Sequence, residues 1–113
     1  MVSIAGGSVD EYVKLAQKLR LSAAVSAVEV NISCPNVESG LEFGVDPRAA
    51  GEVTNAVRRQ TGLPLIVKLT PNVNDIVTVA QAVVDAGADA VGLINTYPAM
   101  KIDVRTRKPA LSL

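Results

Sequence analysis

Histidine is absent from the 113-residue sequence, and cysteine occurs once, at position 34. The usual general base and the usual transition-metal ligand are therefore missing, so we predict no metal site. Any catalysis has to use cysteine, lysine, tyrosine or carboxylates. A single cysteine cannot form an internal disulfide bond, and the chain does not begin like a secretory signal peptide. Both features favour a reducing, cytoplasmic setting.

Net charge and long apolar runs are also lacking. Eleven basic and eleven acidic residues cancel, which removes the electrostatic case for nucleic acid or an anionic membrane surface. No apolar run is long enough to cross a bilayer. The glycines of 38–44 are not part of a G-x-G-x-x-G or Gly-Lys-Ser/Thr motif, so they do not predict a phosphate loop. The expected partner is a small molecule or another protein.

Short apolar runs alternate with amphipathic segments along the chain. Strands are predicted near 2–6, 27–33, 65–69 and 90–95, and helices near 9–20, 47–60 and 75–86. Helix start signals are Ser8 with Glu11, Asp46 with Pro47, and Asn74 or Asp75. This alternation predicts an α/β fold with a parallel sheet. We expect a partial (β/α)8 barrel of about four strands and three helices, and an open parallel α/β sheet is the alternative. The tail after Thr96 has no clear period.

Polar residues lie where the predicted strands end. In the stretch 28–33, Val, Val and Ile alternate with Glu, Asn and Ser, so this strand has one apolar and one polar face. Asn31 lies near its carboxyl end and Cys34 follows directly. Lys68 lies on the opposite face of its strand from Leu65, Val67 and Leu69. Asn95 ends the fourth strand, whose continuous apolar run predicts that it is buried. Carboxyl ends of parallel strands meet on one rim, where ligands bind.

Each of these residues also has a purely structural interpretation. A lone cysteine is often a small buried hydrophobic residue. Lys68 could extend its ammonium group to the rim, and Asn31 and Asn95 could cap backbone groups at strand ends. Their coincidence on one rim, together with the neighbouring Asn36 and Thr96, favours a ligand site.

Four motifs distributed over the chain resemble one enzyme family. They are Asn31-Ile-Ser-Cys-Pro-Asn-Val37, Phe43-Gly44-x-Asp-Pro47, Val67-Lys-Leu-Thr-Pro-Asn-Val-x-Asp-Ile76, and Ile94-Asn-Thr96 followed by Met100-x-Ile-Asp-x-x-Thr-Arg-x-Pro109. Together they resemble dihydroorotate dehydrogenase. Cysteine rather than serine at position 34 resembles class 1 of that family. The residues of these motifs are most similar to those of the NAD-linked type 1B, which pairs with an iron–sulfur FAD electron-transfer subunit.

The resemblance implies a fold, a cofactor and a reaction. It implies a (β/α)8 barrel that holds FMN at its carboxyl rim and oxidises dihydroorotate to orotate in pyrimidine biosynthesis. Cys34 resembles the base that removes the C5 proton while hydride passes to FMN. The implied substrate contacts are Asn31, Asn36, Asn95 and Thr96, and the implied FMN contacts are Asn31, Lys68 and Ile94. A thiolate is a competent base, and a lysine suits an electron-rich flavin ring.

The sequence departs from the family pattern at three places. Ser3 stands where the family usually has an asparagine that touches the flavin, and the loop 38–42 is a residue shorter than usual. Before Met100, Tyr97-Pro98-Ala99 replaces the tripeptide that the family usually has there.

The resemblance covers strands three to six of the family's barrel. We therefore expect residues 1–113 to be a single segment, the central part of an FMN-binding barrel, and to be inactive alone. We expect the full-length enzyme to be a homo- or hetero-oligomer. The alternatives are a flavin domain like that of dihydropyrimidine dehydrogenase, or a non-catalytic remnant that serves as an interaction module.

Overall fold

The main sheet has four parallel strands whose spatial order follows the chain. The computed structural model of the protein describes residues 1–33, 43–97 and 99–110. The strands are β1 (Val2–Ile4), β2 (Val28–Asn31), β3 (Leu65–Lys68) and β4 (Ala90–Gly92), in the order β1-β2-β3-β4. Such an order lacks the reversal that creates the ligand crevice of a doubly wound sheet.

Three helices connect the strands, and each begins after a capping side chain. They are α1 (Val9–Arg20), α2 (Pro47–Arg58) and α3 (Ile76–Asp85). The Ser8 hydroxyl accepts the Glu11 amide at 3.3 Å. The carboxylates of Asp46 and Asp75 accept the amides of Arg48 at 3.0 Å and Val77 at 2.9 Å. The three predicted helices are therefore present, with the predicted start signals at their amino ends. No helix in the described ranges is long and apolar enough to span a membrane.

All three helices pack on the same face of the sheet. Their buried side chains form one cluster with the apolar sheet residues. The helices contribute Tyr12, Ala16, Ala50, Val53, Val57, Val79 and Val83, and the strands contribute Ile4, Val28, Val30, Leu65 and Val67. A parallel sheet with one helical layer and no strand-order reversal is the arrangement of a (β/α)8 barrel segment. The predicted α/β fold of four parallel strands and three helices is confirmed.

The other face of the sheet carries the polar residues. The register aligns Ser3, Glu29, Ile66 and Ala90 in one row, and Asn31, Lys68 and Gly92 in the next. In the first row the Ser3 hydroxyl donates to Glu29 Oε1 at 2.7 Å. No helix of the described part packs on this face, which we call the inner face because it corresponds to a barrel interior.

An ion pair supports the edge of the sheet at which the strands begin. Asp89 Oδ2 accepts the Leu65 amide at 2.8 Å and an Arg58 guanidinium nitrogen at 3.0 Å. The same guanidinium donates to the carbonyl oxygens of Leu63, at 2.8 Å, and Thr61. These bonds join the end of α2 to the starts of β3 and β4. They lie far from the rim where ligands bind, so their role is in stability.

The prediction for the fourth strand was wrong in its length and burial. The run 90–95 was expected to form one buried strand, but β4 ends at Gly92, and Leu93 and Ile94 are exposed. β4 is the last strand of the sheet order, so its side chains lack a neighbour on the outer side. The Leu93–Ile94 peptide that follows is cis.

The tail contains a short hairpin that the sequence pattern did not predict. β5 (Ile102–Asp103) pairs antiparallel with β6 (Lys108–Pro109). The Asp103 carboxylate accepts the amides of Arg105 at 2.8 Å and Thr106 at 3.3 Å, and these bonds hold the pKa of that carboxyl below its usual value. Arg107 closes the turn with φ 55, and its amide donates to the Asp103 carbonyl at 2.7 Å. A single polar side chain thus organises this turn.

Candidate active site

Three predicted site residues meet where β2, β3 and β4 end. Asn31 is in register with Lys68, and Lys68 with Gly92. Paired residues of a parallel sheet project to the same face, so Asn31 and Lys68 share the inner face at its carboxyl rim. Both are half-buried, and so is Asn95, which follows β4. The predicted convergence of Asn31, Lys68 and Asn95 on one rim is therefore present.

A hydrogen-bond network connects the ends of β2 and β4 across β3. The Asn95 side-chain amide donates to the Ser33 hydroxyl at 2.8 Å and to the Ser33 carbonyl at 3.1 Å. The Ser33 hydroxyl in turn donates to Asn31 Oδ1 at 2.9 Å. Asn95 Nδ2 also lies 3.5 Å from Asn31 Oδ1, at the limit of a hydrogen bond. Ser33 is therefore the link that holds the two asparagine side chains together.

The network fixes which way each amide group points. Asn31 Oδ1 faces Ser33, so its NH₂ group is directed away from the network, and the described residues offer that group no acceptor. Asn95 has the reverse arrangement, because its NH₂ group faces Ser33 and its Oδ1 accepts the Thr96 amide at 2.7 Å. Thr96 itself is exposed. The Thr96 hydroxyl also donates to Asn95 Oδ1, at 3.4 Å. The Asn31 NH₂ is therefore the group of this network that has no acceptor among the described residues.

The surroundings of Lys68 suit a flat, electron-rich ring. Among the described residues, no hydrogen bond or ion pair involves the Lys68 ammonium. Its neighbour in register is Gly92, where an added Cβ would lie 3.5 Å from Lys68 Cα and 3.7 Å from Lys68 Cβ. The missing side chain leaves that space open. Ile94, which is 42% exposed, adds apolar surface beyond the end of β4. An ammonium group without a partner among the described residues, next to the open position at Gly92, would fit an electron-rich flavin ring.

Cys34 and Asn36 lie outside the described residues. The chain enters and leaves their segment at two described points that are bonded to each other, because the Gly44 amide donates to the Ile32 carbonyl at 3.0 Å. A Cβ at Gly44 would lie 3.0 Å from that carbonyl oxygen and 3.1 Å from the Thr70 methyl group. A side chain at position 44 would therefore press on the Ile32 carbonyl and on Thr70, so glycine favours this close approach of the two strand-flanking residues.

Other features of the described part lie away from the predicted residues. An open cavity of about 370 Å³ is lined by Val45, Pro71, Asn72, Val73, Asn74 and Tyr97. It includes none of the residues predicted for substrate or cofactor. No group of three or more His, Cys, Asp or Glu side chains comes together for a metal ion within 1–33, 43–97 and 99–110.

Sequence reasoning missed two residues of this region. Ser33 was placed only on the polar face of β2, although its parity matches that of Asn31 and indicated the same rim. Tyr12 was predicted only as a residue of the helix near 9–20. Its hydroxyl donates to the Asn31 carbonyl at 2.8 Å, a contact between distant elements that no local pattern indicates.

Comparison with known proteins identifies the family. The model of the dihydroorotate dehydrogenase family matches residues 1–113. The chain belongs to this family. It is similar to the protein named dihydroorotate dehydrogenase B (NAD(+)), catalytic subunit, of Geotalea daltonii, with 52% identity over 99% of the chain and 37% of that protein. The corresponding protein of Pelobacter propionicus is 53% identical over the same shares. The resemblance to the B type of dihydroorotate dehydrogenase is confirmed.

A relative named for fumarate instead of NAD(+) is as similar to the chain as these two proteins are. Dihydroorotate dehydrogenase A (fumarate) of Lacticaseibacillus paracasei is 52% identical over 98% of the chain and 38% of that protein. The chain therefore spans somewhat more than a third of the length of these relatives. Among solved structures, the carboxyl transferase domain of Rhizobium etli pyruvate carboxylase gives a TM-score of 0.61 at 22% identity, covering 80% of the chain and 16% of that structure. This likeness concerns the fold alone.

Proposed function

We propose that residues 1–113 form the central part of the (β/α)8 barrel of a class 1 dihydroorotate dehydrogenase. The full-length enzyme, meaning the barrel protein that contains this segment, would oxidise dihydroorotate to orotate in pyrimidine biosynthesis. The observation that carries the proposal is the convergence of Asn31, Lys68 and Asn95 on one rim, linked through Ser33. Family membership supports the same conclusion.

The predicted site residues would have separate tasks. Asn31, Asn36, Asn95 and Thr96 would hold the planar, carboxylated ring of the substrate through amide and hydroxyl groups. Asn31, Lys68 and Ile94 would hold FMN, which when bound supplies the acceptor for the hydride leaving C6 of dihydroorotate. Lys68 would contribute a cation to the electron-rich edge of the ring, and Ile94 an apolar contact.

Cys34 is the proposed base. Its thiolate would take the proton from C5 of dihydroorotate, which leaves the electron pair of that C–H bond to form the new double bond. A cysteine thiol has a reference pKa of about 8.5, so its thiolate is accessible near neutral pH. Residues 1–113 contain no histidine that could take this role instead.

The electron acceptor and partner belong to the same proposal. We assign the chain to the NAD-linked type, in which an iron–sulfur FAD subunit takes the electrons onward, and to a cytoplasmic enzyme. Relatives named for NAD(+) and for fumarate are both about half identical to the chain. Assaying the full-length enzyme with NAD+ plus the partner subunit, and separately with fumarate, would distinguish the two acceptors.

Anaerobic mixing of the full-length, flavin-loaded enzyme with dihydroorotate tests the reaction itself. We expect the flavin absorbance to bleach while one orotate forms for each flavin reduced. Dihydrouracil, which lacks the carboxylate, serves as the matched control and should leave the flavin oxidised. Bleaching by dihydrouracil without bleaching by dihydroorotate would reject the proposed substrate.

A further inference from the structure

Tyr12 bonds directly to the backbone of a predicted site residue. It lies in the first turn of α1 and is 1% exposed. Its hydroxyl donates to the backbone carbonyl of Asn31 at 2.8 Å. Asn31 is the last residue of β2, where the ladder of the sheet ends. The hydroxyl thus holds the backbone at the point where β2 passes into the rim network.

The ring of the same tyrosine contacts Phe43, the residue that directly follows the segment 34–42 in the sequence. Tyr12 and Phe43 pack edge to face, with ring centroids 5.9 Å apart and an interplanar angle of 85°. Phe43 precedes Gly44, whose amide is bonded to the Ile32 carbonyl. One buried side chain therefore contacts the residues on both sides of 34–42. Edge-to-face aromatic pairs prefer a defined geometry, so this contact restricts position as well as burying area.

We propose that Tyr12 is a positioning residue for the rim: its hydroxyl sets Asn31 and its ring sets Phe43. This inference rests on the proposed function and deepens it, because it adds a residue that acts through Asn31 without touching substrate. Ser33 transmits the effect to Asn95, since its amide and hydroxyl both donate to Asn31 Oδ1.

The ordinary alternative is that Tyr12 only fills the core. A buried tyrosine hydroxyl needs some hydrogen-bond partner, and any carbonyl would serve. A core role predicts that loss of the hydroxyl lowers stability and nothing else. A positioning role predicts an additional change in the backbone beyond β2 and in the reaction.

Tyr12→Phe in the full-length enzyme distinguishes the two roles, because it removes the hydroxyl and keeps the ring. Thr54→Val is the matched control: Thr54 is fully buried on α2, and its hydroxyl donates to the Ala50 carbonyl at 2.7 Å. We expect Tyr12→Phe to slow flavin reduction at saturating dihydroorotate about tenfold, since small misplacements of reacting groups are costly. Hydrogen exchange should rise in peptides containing Ser33 and Gly44. Thr54→Val should stay within about twofold of wild type in both measurements.

A third variant keeps the test independent of the hydroxyl. Phe43→Leu removes the ring contact and should raise exchange at Gly44 more than at Ser33. Equal reduction rates and equal exchange in Tyr12→Phe and Thr54→Val would overturn the inference. If dihydroorotate fails to reduce even the wild-type flavin, the proposed function is wrong, and the exchange comparison still decides whether Tyr12 positions the rim.

Discussion

The two asparagines of the rim differ in how their amide groups are engaged. Asn31 gives its oxygen to Ser33 and keeps its NH₂ group free of described partners, whereas Asn95 uses its NH₂ group on Ser33 and its oxygen on Thr96. A substrate would find the Asn31 NH₂ group ready to donate. Binding to Asn95 would require the exchange of an existing bond. The network therefore leaves the Asn31 NH₂ group available to a ligand and keeps both ends of the Asn95 amide bonded within the protein.

Replacing Asn95 by alanine should weaken substrate binding more than it slows the chemical step. The variant loses an amide contact and also leaves Ser33 without its donor, so we expect the Kd of dihydroorotate to rise about tenfold. Titration of the flavin spectrum with orotate, combined with single-turnover rates, separates the two effects. Asn55→Ala, at an exposed position of α2, is the control. Unchanged affinity in Asn95→Ala would remove Asn95 from the substrate contacts.

The alternation of side chains along each strand and the positions of the strand ends were sufficient to predict much of this rim. Asn31, Lys68 and Asn95 could be placed there because a parallel sheet brings its carboxyl ends together. The amide orientations could not be predicted, since they depend on Ser33 bridging two strands that are not adjacent. The contact of Tyr12 with Asn31 depends on the packing of α1 against β2 and has no sequence period.

At the scale of elements, the residue that follows the C-cap of α3 has a backbone conformation that strongly favours glycine. Gly87 follows the C-cap residue Ala86 and has φ 106. An added Cβ would also lie 2.9 Å from Arg58 Cγ. The Arg58 side chain cannot move freely, because it is bonded to Asp89 and to the Leu63 carbonyl. Both the backbone and the neighbouring side chain exclude a larger residue.

We expect Gly87→Ala to lower the free energy of unfolding by about 1–3 kcal/mol, the range for a residue held in a sparsely populated backbone region. Gly62→Ala is the matched control, since an added Cβ there meets nothing within 4 Å. It should change stability by less than about 0.5 kcal/mol. Denaturant unfolding of both variants of the full-length protein makes the comparison. Equal effects at the two sites would contradict the account of Gly87.

The amino end of α3 should contribute a pH-dependent stability. Hydrogen bonds from the Thr78 hydroxyl, then from the Thr78 and Val77 amides, lower the pKa of the Asp75 carboxyl. The unfolded chain therefore binds the proton first as the pH falls. The stabilisation is complete above the ordinary carboxyl pKa of about 3.9 and is lost as the pH falls through the lowered folded-state pKa.

Asp75→Asn keeps a capping oxygen and removes the titrating charge. The difference in unfolding free energy between wild type and this variant should therefore shrink between about pH 6 and about pH 2. Asp85→Asn, which affects an exposed bond to Gln81 on the same helix, shows whether any acid effect is general. A difference for Asp75→Asn that stays constant over the whole pH range would be incompatible with the lowered pKa.

The elements that sequence reasoning missed share a physical cause. β5 and β6 have two residues each, too few to show alternation. Their turn depends on Asp103 and on an arginine with positive φ, a conformation that the residue type does not indicate. The end of β4 was missed because Leu93 and Ile94 have the composition of a buried strand. Their exposure depends on which neighbours the sheet has, and a local pattern does not contain that information.

At the scale of the whole molecule, the sheet has two open edges within the described residues. β1 and β4 each pair on one side only. Unpaired parallel edges expose backbone donors and acceptors that can join another chain. We expect the 113-residue chain, prepared alone, to form oligomers or aggregates. Sedimentation velocity over a range of concentrations measures this, and a concentration-independent monomer that unfolds cooperatively would contradict it.

The central claim is that this rim is the site of dihydroorotate oxidation, with Cys34 as the base. Single-turnover reduction of the flavin by dihydroorotate, followed across pH in full-length wild type, Cys34→Ala and Cys34→Ser, tests it most directly. The alanine variant should bind dihydroorotate nearly normally and reduce the flavin about 10²–10⁴-fold more slowly, the range of general-base catalysis. The serine variant should keep partial activity that increases with pH. Reduction by Cys34→Ala at the wild-type rate would contradict the account.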